Sequence, residues 1–390
     1  MKSENFSMLN FINKICTEIG PRLGTTESEK KAGLEIKEIL EPITDSTDLE
    51  EFTCHPGGFL GFIKVGFIAC ILGAVLFLWI PFLSIILEFY AFTTFAFEQM
   101  FLKEYVDFLF PKATGSNVIG KLKPTGESKK IVIVSGHHDS AYEFPVFEKF
   151  GENFGIFAYM IAGFLILSII SAIFKFILDL LTISILGLNI ILLSILIISL
   201  ILVGYMVVNL HSNKVILGAN DNLSGVAVML ALADHFSSNR LKNIELWCIS
   251  FSCEECMRGS KRFAKRHYQE LKDSYTINFD MVGRGIISII AKEPDFSTKH
   301  SIELAKEFQE STKKANLELP IVSLGYGGTD AANFSKVNLN AISIVGVTKK
   351  KSYPDTWHTL KDTPEGIMED RLDTTLKVSI QYLNDLDNNL

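Results

Sequence analysis

Two histidines and an aspartate follow directly on a short apolar run in the first half of the chain. Residues 131–134 read IVIV and residues 135–140 read SGHHDS, so the pattern predicts that His137, His138 and Asp139 follow a buried strand. Imidazoles and carboxylates bind divalent cations and also transfer protons. Alone, an H-x-D pattern predicts little, because histidines near carboxylates are common.

Further residues of the same types occur in four segments downstream. They are Asp221 in GANDN, Glu254 and Glu255 in CEEC, Asp280 directly after TINF, and His358 in WHTLKD. A carboxylate at the end of a buried strand is costly unless it is paired or coordinates a cation. Two histidines with several carboxylates suit two divalent cations, and zinc is the first candidate.

The elements that must position these residues alternate between strands and helices. Apolar runs typical of buried strands occupy 131–134, 244–251, 276–279 and 341–345, and amphipathic stretches typical of helices occupy 224–238 and 259–273. This alternation predicts an α/β fold with a mostly parallel mixed sheet sandwiched by helices. Ligands of such sheets bind outside the carboxyl ends of the strands, so we expect the polar residues to converge there.

Two segments are far more apolar than the rest of the chain. The 390 residues are 48% hydrophobic, with a mean hydropathy of +0.27, and the excess lies in 59–102 and 154–210. The second segment contains two uncharged runs, 154–174 and 180–210. Each is long enough for a helix that crosses a bilayer. We therefore expect inserted transmembrane hairpins and a lipid bilayer as a partner.

The first apolar segment allows two interpretations. A hairpin turning near Pro81 has spans at 59–80 and 82–102 and places Glu88 at depth, at a cost of about a few kcal/mol unless it is paired. Alternatively, 65–87 spans once and 89–102 lies at the interface. Because His137 and Asp221 must share one site, 154–210 must cross an even number of times. If the N-terminal helix packs on the same domain, 59–102 must also cross the membrane an even number of times. This favours the hairpin or a re-entrant pair.

The predicted organisation is therefore one catalytic domain with two insertions. Its parts are 1–58, 103–153 and 211–390, and the transmembrane hairpins are 59–102 and 154–210.

Charge and cysteine content exclude other classes. The net charge of −7 and the lack of a basic stripe argue against nucleic-acid binding. The N-terminus has polar residues where a signal peptide would have its apolar core. Among the six cysteines, Cys253 and Cys256 form a C-x-x-C pair, but a structural zinc site needs a second pair. We expect free thiols in a reducing compartment.

The five motifs, in this order, resemble the di-zinc aminopeptidase family that includes bacterial leucyl aminopeptidases, aminopeptidase Y and glutamate carboxypeptidase. That family has HxD, GxxDNxSG, EE, a strand-end D and a late H, where this chain has GHHDS, GANDNLSGVA, CEECMRGS, INFDMVG and WHTLKDT. The N-terminal EIGPRLGTTESEKKAGLEIKEIL and the segment GGTDAANF (327–334) are also similar. The resemblance covers essentially all of the chain outside the apolar segments.

The resemblance implies a role for each site residue. His137, as the first residue of H-x-D, is the metal ligand, while His138 takes a variable position. Asp139 supports catalysis by orienting the imidazole. Asp221 bridges two Zn²⁺ ions, for which Co²⁺ or Mn²⁺ are other candidates, and its peptide bond to Asn222 is cis. His137 and Asp280 complete one metal site, and Glu255 and His358 complete the other.

The resemblance also implies a zinc-dependent exopeptidase that hydrolyses peptide or aminoacyl amide bonds by a metal-bridged water, with Glu254 as the general base. Its substrate is a peptide or an amino-acid derivative. Tyr326, Thr329 and Asp330 are expected to contact substrate, and Arg22 to have a structural role.

Two alternatives keep the same fold. A glutaminyl cyclase-like aminoacyltransferase uses one zinc, and the Trp before His358 resembles that class. A non-catalytic receptor or scaffold has lost ligands, whereas all ligand positions and Glu254 are present here.

Flanking charges predict the orientation of the protein in a membrane. Lysines near the ends of the apolar segments on the catalytic side are Lys64, Lys103, Lys112, Lys149 and Lys214. The opposite turns have only Lys175. Because positive flanks favour the cytoplasm, we expect an integral, multi-pass protein with a cytoplasmic catalytic domain.

Overall fold

The computed structural model describes residues 6–349, 354 and 356–390. The described residues form two compact units by their contacts. The first unit comprises the described residues of Met1–Pro56, Lys112–Glu143 and Asn213–Leu390, and the second comprises Gly57–Pro111 and Phe144–Ser212.

The first unit is built on one mixed β-sheet, which has nine strands in the described part of the chain. The strands are β1 Ser46–Cys54, β2 Ala113–Leu122, β3 Lys130–His137, β4 Ile244–Phe251, β5 Tyr275–Asp280, β6 Ile286–Glu293, β7 Thr298–Lys299, β8 Ile321–Ser323 and β9 Asn340–Val347. The order is β1-β2-β4-β3-β5-β9-β6-β7, and β8 pairs with β6.

The parallel part of the sheet is its centre. Strands β4, β3, β5 and β9 pair in parallel, whereas β1–β2, β2–β4, β6–β9 and β6–β7 pair antiparallel. The four central strands are the four apolar runs predicted from the sequence. The predicted α/β fold class is confirmed, with antiparallel pairing confined to the two sides of a parallel centre.

The helices are α1 Met8–Glu18, α2 Glu27–Leu40, α3 Gly58–Leu76, α4 Pro81–Phe95, α5 Pro145–Phe150, α6 Phe154–Leu180, α7 Leu186–Asn209, α8 Ser224–Ser238, α9 Gly259–Arg266, α10 Ile302–Lys314, α11 Ala331–Ser335 and α12 Glu369–Asn389. Helices α3, α4, α6 and α7 belong to the second unit, and α5 precedes α6 there.

Helices cover both faces of the sheet. Along β3, Val132 and Val134 pack in one hydrophobic core with α8 and α12, whereas Ile133 packs in another with Phe263 of α9 and Phe334 of α11. Successive side chains of a strand point to opposite faces, so the two cores lie on opposite sides of the sheet. Burial on both faces explains why the central strands are continuous apolar runs.

The second unit is helical and unusually apolar. In the described residues, four helices are long and apolar enough to cross a membrane: Gly58–Leu76, Pro81–Met100, Phe154–Leu180 and Leu186–Asn209. Large apolar side chains are exposed on them, and Leu186 and Val208 of α7 are each 75% exposed. An apolar surface of this extent is typical of contact with lipid or another apolar partner.

The first apolar segment forms two helices, because the chain breaks at 77–80 and restarts with Pro81 at the first position of α4. Glu88 is buried within this unit and accepts a hydrogen bond of 2.7 Å from the Ser168 hydroxyl of α6. Gly73 of α3 makes room for it, since a Cβ there would lie 2.5 Å from Glu88 Oε1. The carboxylate expected to be costly is therefore buried beside a donor.

Candidate active site

The site lies where the central strands end. His137 is the last residue of β3 and Asp280 is the last residue of β5. Glu254 and Glu255 begin a 3-10 turn shortly after β4, and Asp221 lies in the turn before α8. Because these strands are parallel neighbours, their carboxyl ends meet at one edge of the sheet.

The structure brings the predicted ligands together in overlapping groups. His137, Asp221 and Asp280 offer atoms within 4.8 Å of one another, and so do Asp221, Glu255 and His358. A third group comprises His137, Glu254 and Glu255. Asp221 belongs to the first two groups and contacts a histidine with each oxygen. His137 Nε2 lies 3.3 Å from Oδ1, and His358 Nε2 lies 3.4 Å from Oδ2.

The distances between the ligand atoms fit tetrahedral coordination of a cation. Ligand atoms bound at about 2.0 Å in a tetrahedron are about 3.3 Å apart. The contacts of Asp221 match this spacing, and His358 Nε2 lies 3.0 Å from Glu255 Oε2. Among the described residues, Asp221 Oδ2, Glu255 Oε1 and His137 Nε2 are buried without a hydrogen-bond partner. Buried polar atoms of this kind, all with lone pairs, fit zinc.

The electrostatics of the site also favour a cation. Burial raises the pKa of Glu254, Glu255 and Asp280, and neighbouring carboxylates raise these pKa values further. Burial lowers the pKa of His137 and His358, but the carboxylates outweigh it and raise the pKa of both imidazoles. Negative charge is therefore concentrated in a buried place, where divalent cations would stabilise it.

Asp139 supports two parts of the site. Its carboxylate lies 3.3 Å from His137 Nδ1, on the side of the ring away from Asp221. It also accepts hydrogen bonds from the backbone N–H groups of Glu254 at 3.0 Å and Glu255 at 3.2 Å. One buried carboxylate thus orients the imidazole and holds the glutamate turn.

His138 is directed elsewhere. Its Nδ1 lies 2.9 Å from Ser250 Oγ, and its Nε2 lies 3.8 Å from Glu29 Oε1. Burial lowers the pKa of His138 to about 4. It joins none of the potential metal-binding groups found among the described residues.

Sequence reasoning missed the residues that hold the Asp221 turn. Asp362 is buried and accepts hydrogen bonds from the backbone N–H groups of Asn220 at 2.7 Å and Asp221 at 2.9 Å. The Asp221–Asn222 peptide bond is cis, as the resemblance implies. Asn222 Oδ1 accepts from the N–H groups of Gly225 and Met281, which links the turn to α8 and to the end of β5. Only the proximity of Asp362 to His358 in WHTLKD could have suggested it.

Arg22 connects two ligand-bearing segments. Its guanidinium is fully buried and donates to the carbonyl oxygens of His138 at 2.9 Å, Leu217 at 2.8 Å and Gly218 at 3.1 Å. The backbone after His137 and the backbone before Asp221 are therefore both hydrogen-bonded to the Arg22 guanidinium. These contacts are consistent with the structural role predicted for Arg22.

The residues predicted to contact substrate are all buried. Burial raises the pKa of Asp330 to about 7. Thr329 donates its hydroxyl to Glu293 Oε1 at 2.6 Å. Tyr326 packs against Trp357, with ring centroids 5.3 Å apart. Their role toward substrate stays a prediction.

Comparison with known families agrees with the geometry. Residues 203–383, just under half of the chain, match the sequence profile of Peptidase family M28. This match contains Asp221, the glutamate pair, Asp280 and His358, whereas His137 precedes it. No curated protein matches this chain in sequence.

Several solved structures share the fold. The zinc aminopeptidase BSAP from Bacillus subtilis has a TM-score of 0.58 at 15% identity, over 97% of this chain and 94% of that chain. A Zn-dependent exopeptidase from Parabacteroides distasonis has a TM-score of 0.58 at 14% identity, over 98% and 99% of the two chains. A glutaminyl cyclase from Bacteroides thetaiotaomicron, bound to N-acetylhistamine, has a TM-score of 0.59 at 14% identity, over 99% of each chain.

These similarities confirm the predicted resemblance to the di-zinc aminopeptidase-like family. The fold is that of zinc exopeptidases, and glutaminyl cyclases share it. The choice between these two activities therefore rests on the site.

Proposed function

We propose that this zinc-peptidase-like chain is a membrane-anchored di-zinc exopeptidase of the aminopeptidase type. The observation that carries the proposal is the position of Asp221 in two ligand groups, with His137 and Asp280 on one side and Glu255 and His358 on the other. A shared carboxylate with two further ligands on each side is the arrangement expected for a pair of zinc ions. The substrate is a peptide or an aminoacyl amide.

Bound zinc ions supply Lewis acidity, which polarises a carbonyl group and lowers the pKa of a water molecule toward about 7. Glu254 accepts the proton of the attacking water and delivers it to the departing amine. Its Oε2 lies 3.5 Å from His137 Nε2, and its Oε1 has no hydrogen-bond partner among the described residues. Burial, together with the nearby carboxylates of Asp330, Asp280 and Glu255, raises the pKa of Glu254.

Metal analysis with an activity assay tests this function. The purified protein should contain two zinc ions per chain and hydrolyse members of a panel of aminoacyl amides and dipeptides. Removal of the metal by a strong chelator should abolish hydrolysis, and added zinc or cobalt should restore it. Full hydrolysis by metal-free protein would exclude a metallopeptidase.

A glutaminyl cyclase-like aminoacyltransferase is the second candidate. The shared fold supports it, and so does Trp357, whose ring lies 4.5 Å from that of His358. One tightly bound zinc and cyclisation of an N-terminal glutamine peptide, without hydrolysis of other peptides, would favour this activity.

The four apolar helices support the membrane anchor. His137 and Asp221 belong to one compact unit, and the chain between them contains two of these helices. Two crossings return the chain to the same side of a bilayer. The lysine-rich flanks support a cytoplasmic catalytic unit.

A further inference from the structure

Residues 326–330 read YGGTD and form a loop that packs against two segments of the candidate active site. We call it the YGGTD loop. At its start, the ring of Tyr326 lies 5.3 Å from that of Trp357, which precedes a proposed zinc ligand. At its end, the loop continues into α11, where Asn333 donates to the Ser260 hydroxyl of α9 at 2.9 Å. Helix α9 follows the glutamate turn in the chain, so the loop lies between two segments that carry proposed site residues.

Two carboxylates at the end of β6 hold the YGGTD loop. Glu293 is the last residue of β6 and is fully buried. Its Oε1 accepts a hydrogen bond of 2.6 Å from the Thr329 hydroxyl, and its Oε2 accepts one of 3.3 Å from the Thr329 backbone N–H. Asp295 Oδ2 accepts from the backbone N–H of Gly327 at 2.8 Å. Glu293 therefore fixes one loop residue at two points, and Asp295 fixes the loop two residues earlier.

Glu293 is itself held from the other side. His300 Nε2 lies 3.1 Å from Glu293 Oε1, and both side chains are fully buried. His300 Nδ1 lies 2.9 Å from Ser335 Oγ, at the end of α11. The Thr329 hydroxyl also lies 2.6 Å from that of Ser343 on β9. A buried carboxylate is costly unless it has partners, and these partners leave Glu293 little freedom to move.

Two glycines let the loop lie close to its supports. A Cβ on Gly328 would lie 1.9 Å from Phe296 Cε2 and 3.0 Å from Glu293 Oε2. Gly327 has a φ of +82°, and a Cβ there would lie 2.7 Å from the ring of Trp357. Only glycine combines this backbone conformation with so close an approach. The loop is therefore in direct contact with Glu293 on one side and with Trp357 on the other.

We propose that Glu293 is a positioning residue that acts through Thr329 to hold the YGGTD loop in place for substrate binding. The loop carries Tyr326 and Asp330, which are both predicted to contact substrate. This role rests on the proposed exopeptidase function. Because the loop is expected to bind substrate while the zinc ligands and Glu254 perform the chemistry, loss of Glu293 should affect KM more than kcat.

Steady-state kinetics of the full-length, zinc-loaded protein in detergent test this role. With a dipeptide that the wild-type protein hydrolyses, Glu293→Ala should raise KM by about tenfold or more and change kcat by less than about threefold. Glu293→Gln keeps one acceptor oxygen and should recover most of the loss. The matched control is Asp387→Ala on α12. It removes a buried carboxylate that accepts two backbone N–H groups just before β4, and it should leave KM unchanged.

A double-mutant cycle tests whether Glu293 acts through Thr329. Thr329→Val removes the hydroxyl and keeps the shape of the side chain, so KM should rise, whereas Thr329→Ser should stay near the wild type. The double variant with Glu293→Ala and Thr329→Val should have nearly the KM of Glu293→Ala alone, because both changes break one contact. Independent, multiplying effects on KM would overturn the proposal. So would an unchanged KM in folded, zinc-replete Glu293→Ala.

Hydrogen exchange measured by mass spectrometry gives a readout that does not depend on activity. Glu293→Ala should exchange faster than the wild type in peptides covering 324–336, with zinc content and exchange in the central strands unchanged. If the wild-type protein hydrolyses no peptide, the proposed function fails, and this measurement still decides whether Glu293 holds the loop. Equal exchange in the two proteins would overturn that contact. Normal hydrolysis by the wild type with no change of KM in Glu293→Ala would remove the positioning role alone.

Discussion

Glu254 and Glu255 are neighbours in the chain, yet we expect Glu254 to act as the general base and Glu255 as a metal ligand. Glu255 Oε2 lies 3.0 Å from His358 Nε2, within a ligand group that includes Asp221. Glu254 Oε1 is buried and has no hydrogen-bond partner among the described residues. Asp139 holds the backbone N–H of both glutamates, so their two directions are set together.

Glu254→Gln should separate catalysis from metal binding. Glutamine cannot take a proton, and general-base catalysis is worth about 10²–10⁴-fold in rate. We expect kcat to fall by about that factor while two zinc ions remain bound. Asp221→Ala should lose zinc and stability, because two of the three ligand groups contain that residue. Steady-state kinetics and metal analysis measure both variants, and substantial activity with full zinc in both would contradict the site assignment.

Asp362→Ala should loosen the Asp221 turn without removing a ligand. It leaves the buried N–H groups of Asn220 and Asp221 without their acceptor. Each such group costs about 1–3 kcal/mol, so we expect the free energy of unfolding to fall by about 2–6 kcal/mol and zinc affinity to fall with it. Asp362→Asn keeps one acceptor oxygen and should be milder. The exposed Asp373→Ala is the control; a loss there equal to that of Asp362→Ala would exclude a specific role.

At the scale of elements, the amphipathic patterns predicted where helices occur better than where they end. The amphipathic pattern over 259–273 predicts one helix, but α9 ends at Arg266. The prediction of the last turns is wrong, because His267 is held by other elements. Its Nε2 lies 2.6 Å from Glu50 Oε2 on β1, and its ring packs edge-on against Trp247 of β4, with ring centroids 5.9 Å apart. Contacts distant in sequence outweigh local helix propensity here.

Gly73→Ala should disturb the packing of α3 against Glu88. The added Cβ would lie 2.5 Å from Glu88 Oε1, whose carboxylate is held by Ser168. Overpacking of this kind costs about 1–3 kcal/mol, so we expect a lower Tm in detergent. Gly163→Ala on α6 meets open space and is the control. Adding Glu88→Ala to Gly73→Ala should recover part of the loss, because the clash is removed; strict additivity would contradict this contact.

At the scale of the whole molecule, the decisive question is which side of a membrane carries the catalytic unit. Four apolar helices and one-sided lysine flanks predict two hairpins and a cytoplasmic catalytic unit. Protease should therefore cleave that unit in inverted vesicles and leave it intact in whole cells. A protease site inserted between Leu180 and Leu186 is the matched control, since this turn should be cut from outside. Cleavage of the catalytic unit in intact cells would overturn the orientation.

The sequence by itself determined the central strands, the apolar helices and the order of the candidate ligands. These features are local: runs of Val and Ile mark buried strands, long uncharged runs mark long apolar helices, and His137, the glutamate pair and Asp280 follow apolar runs. The polar residues of the site could be predicted because a buried carboxylate at a strand end is costly unless it is paired or binds a cation.

Only the tertiary structure decided which distant groups become partners. The Asp362 contact with the Asp221 turn, the Arg22 contacts with three carbonyl oxygens and the Ser168 contact with Glu88 all join residues far apart in the chain. Such pairings depend on how strands and helices pack, and packing follows from the burial of whole faces, a property that adjacent residues do not encode.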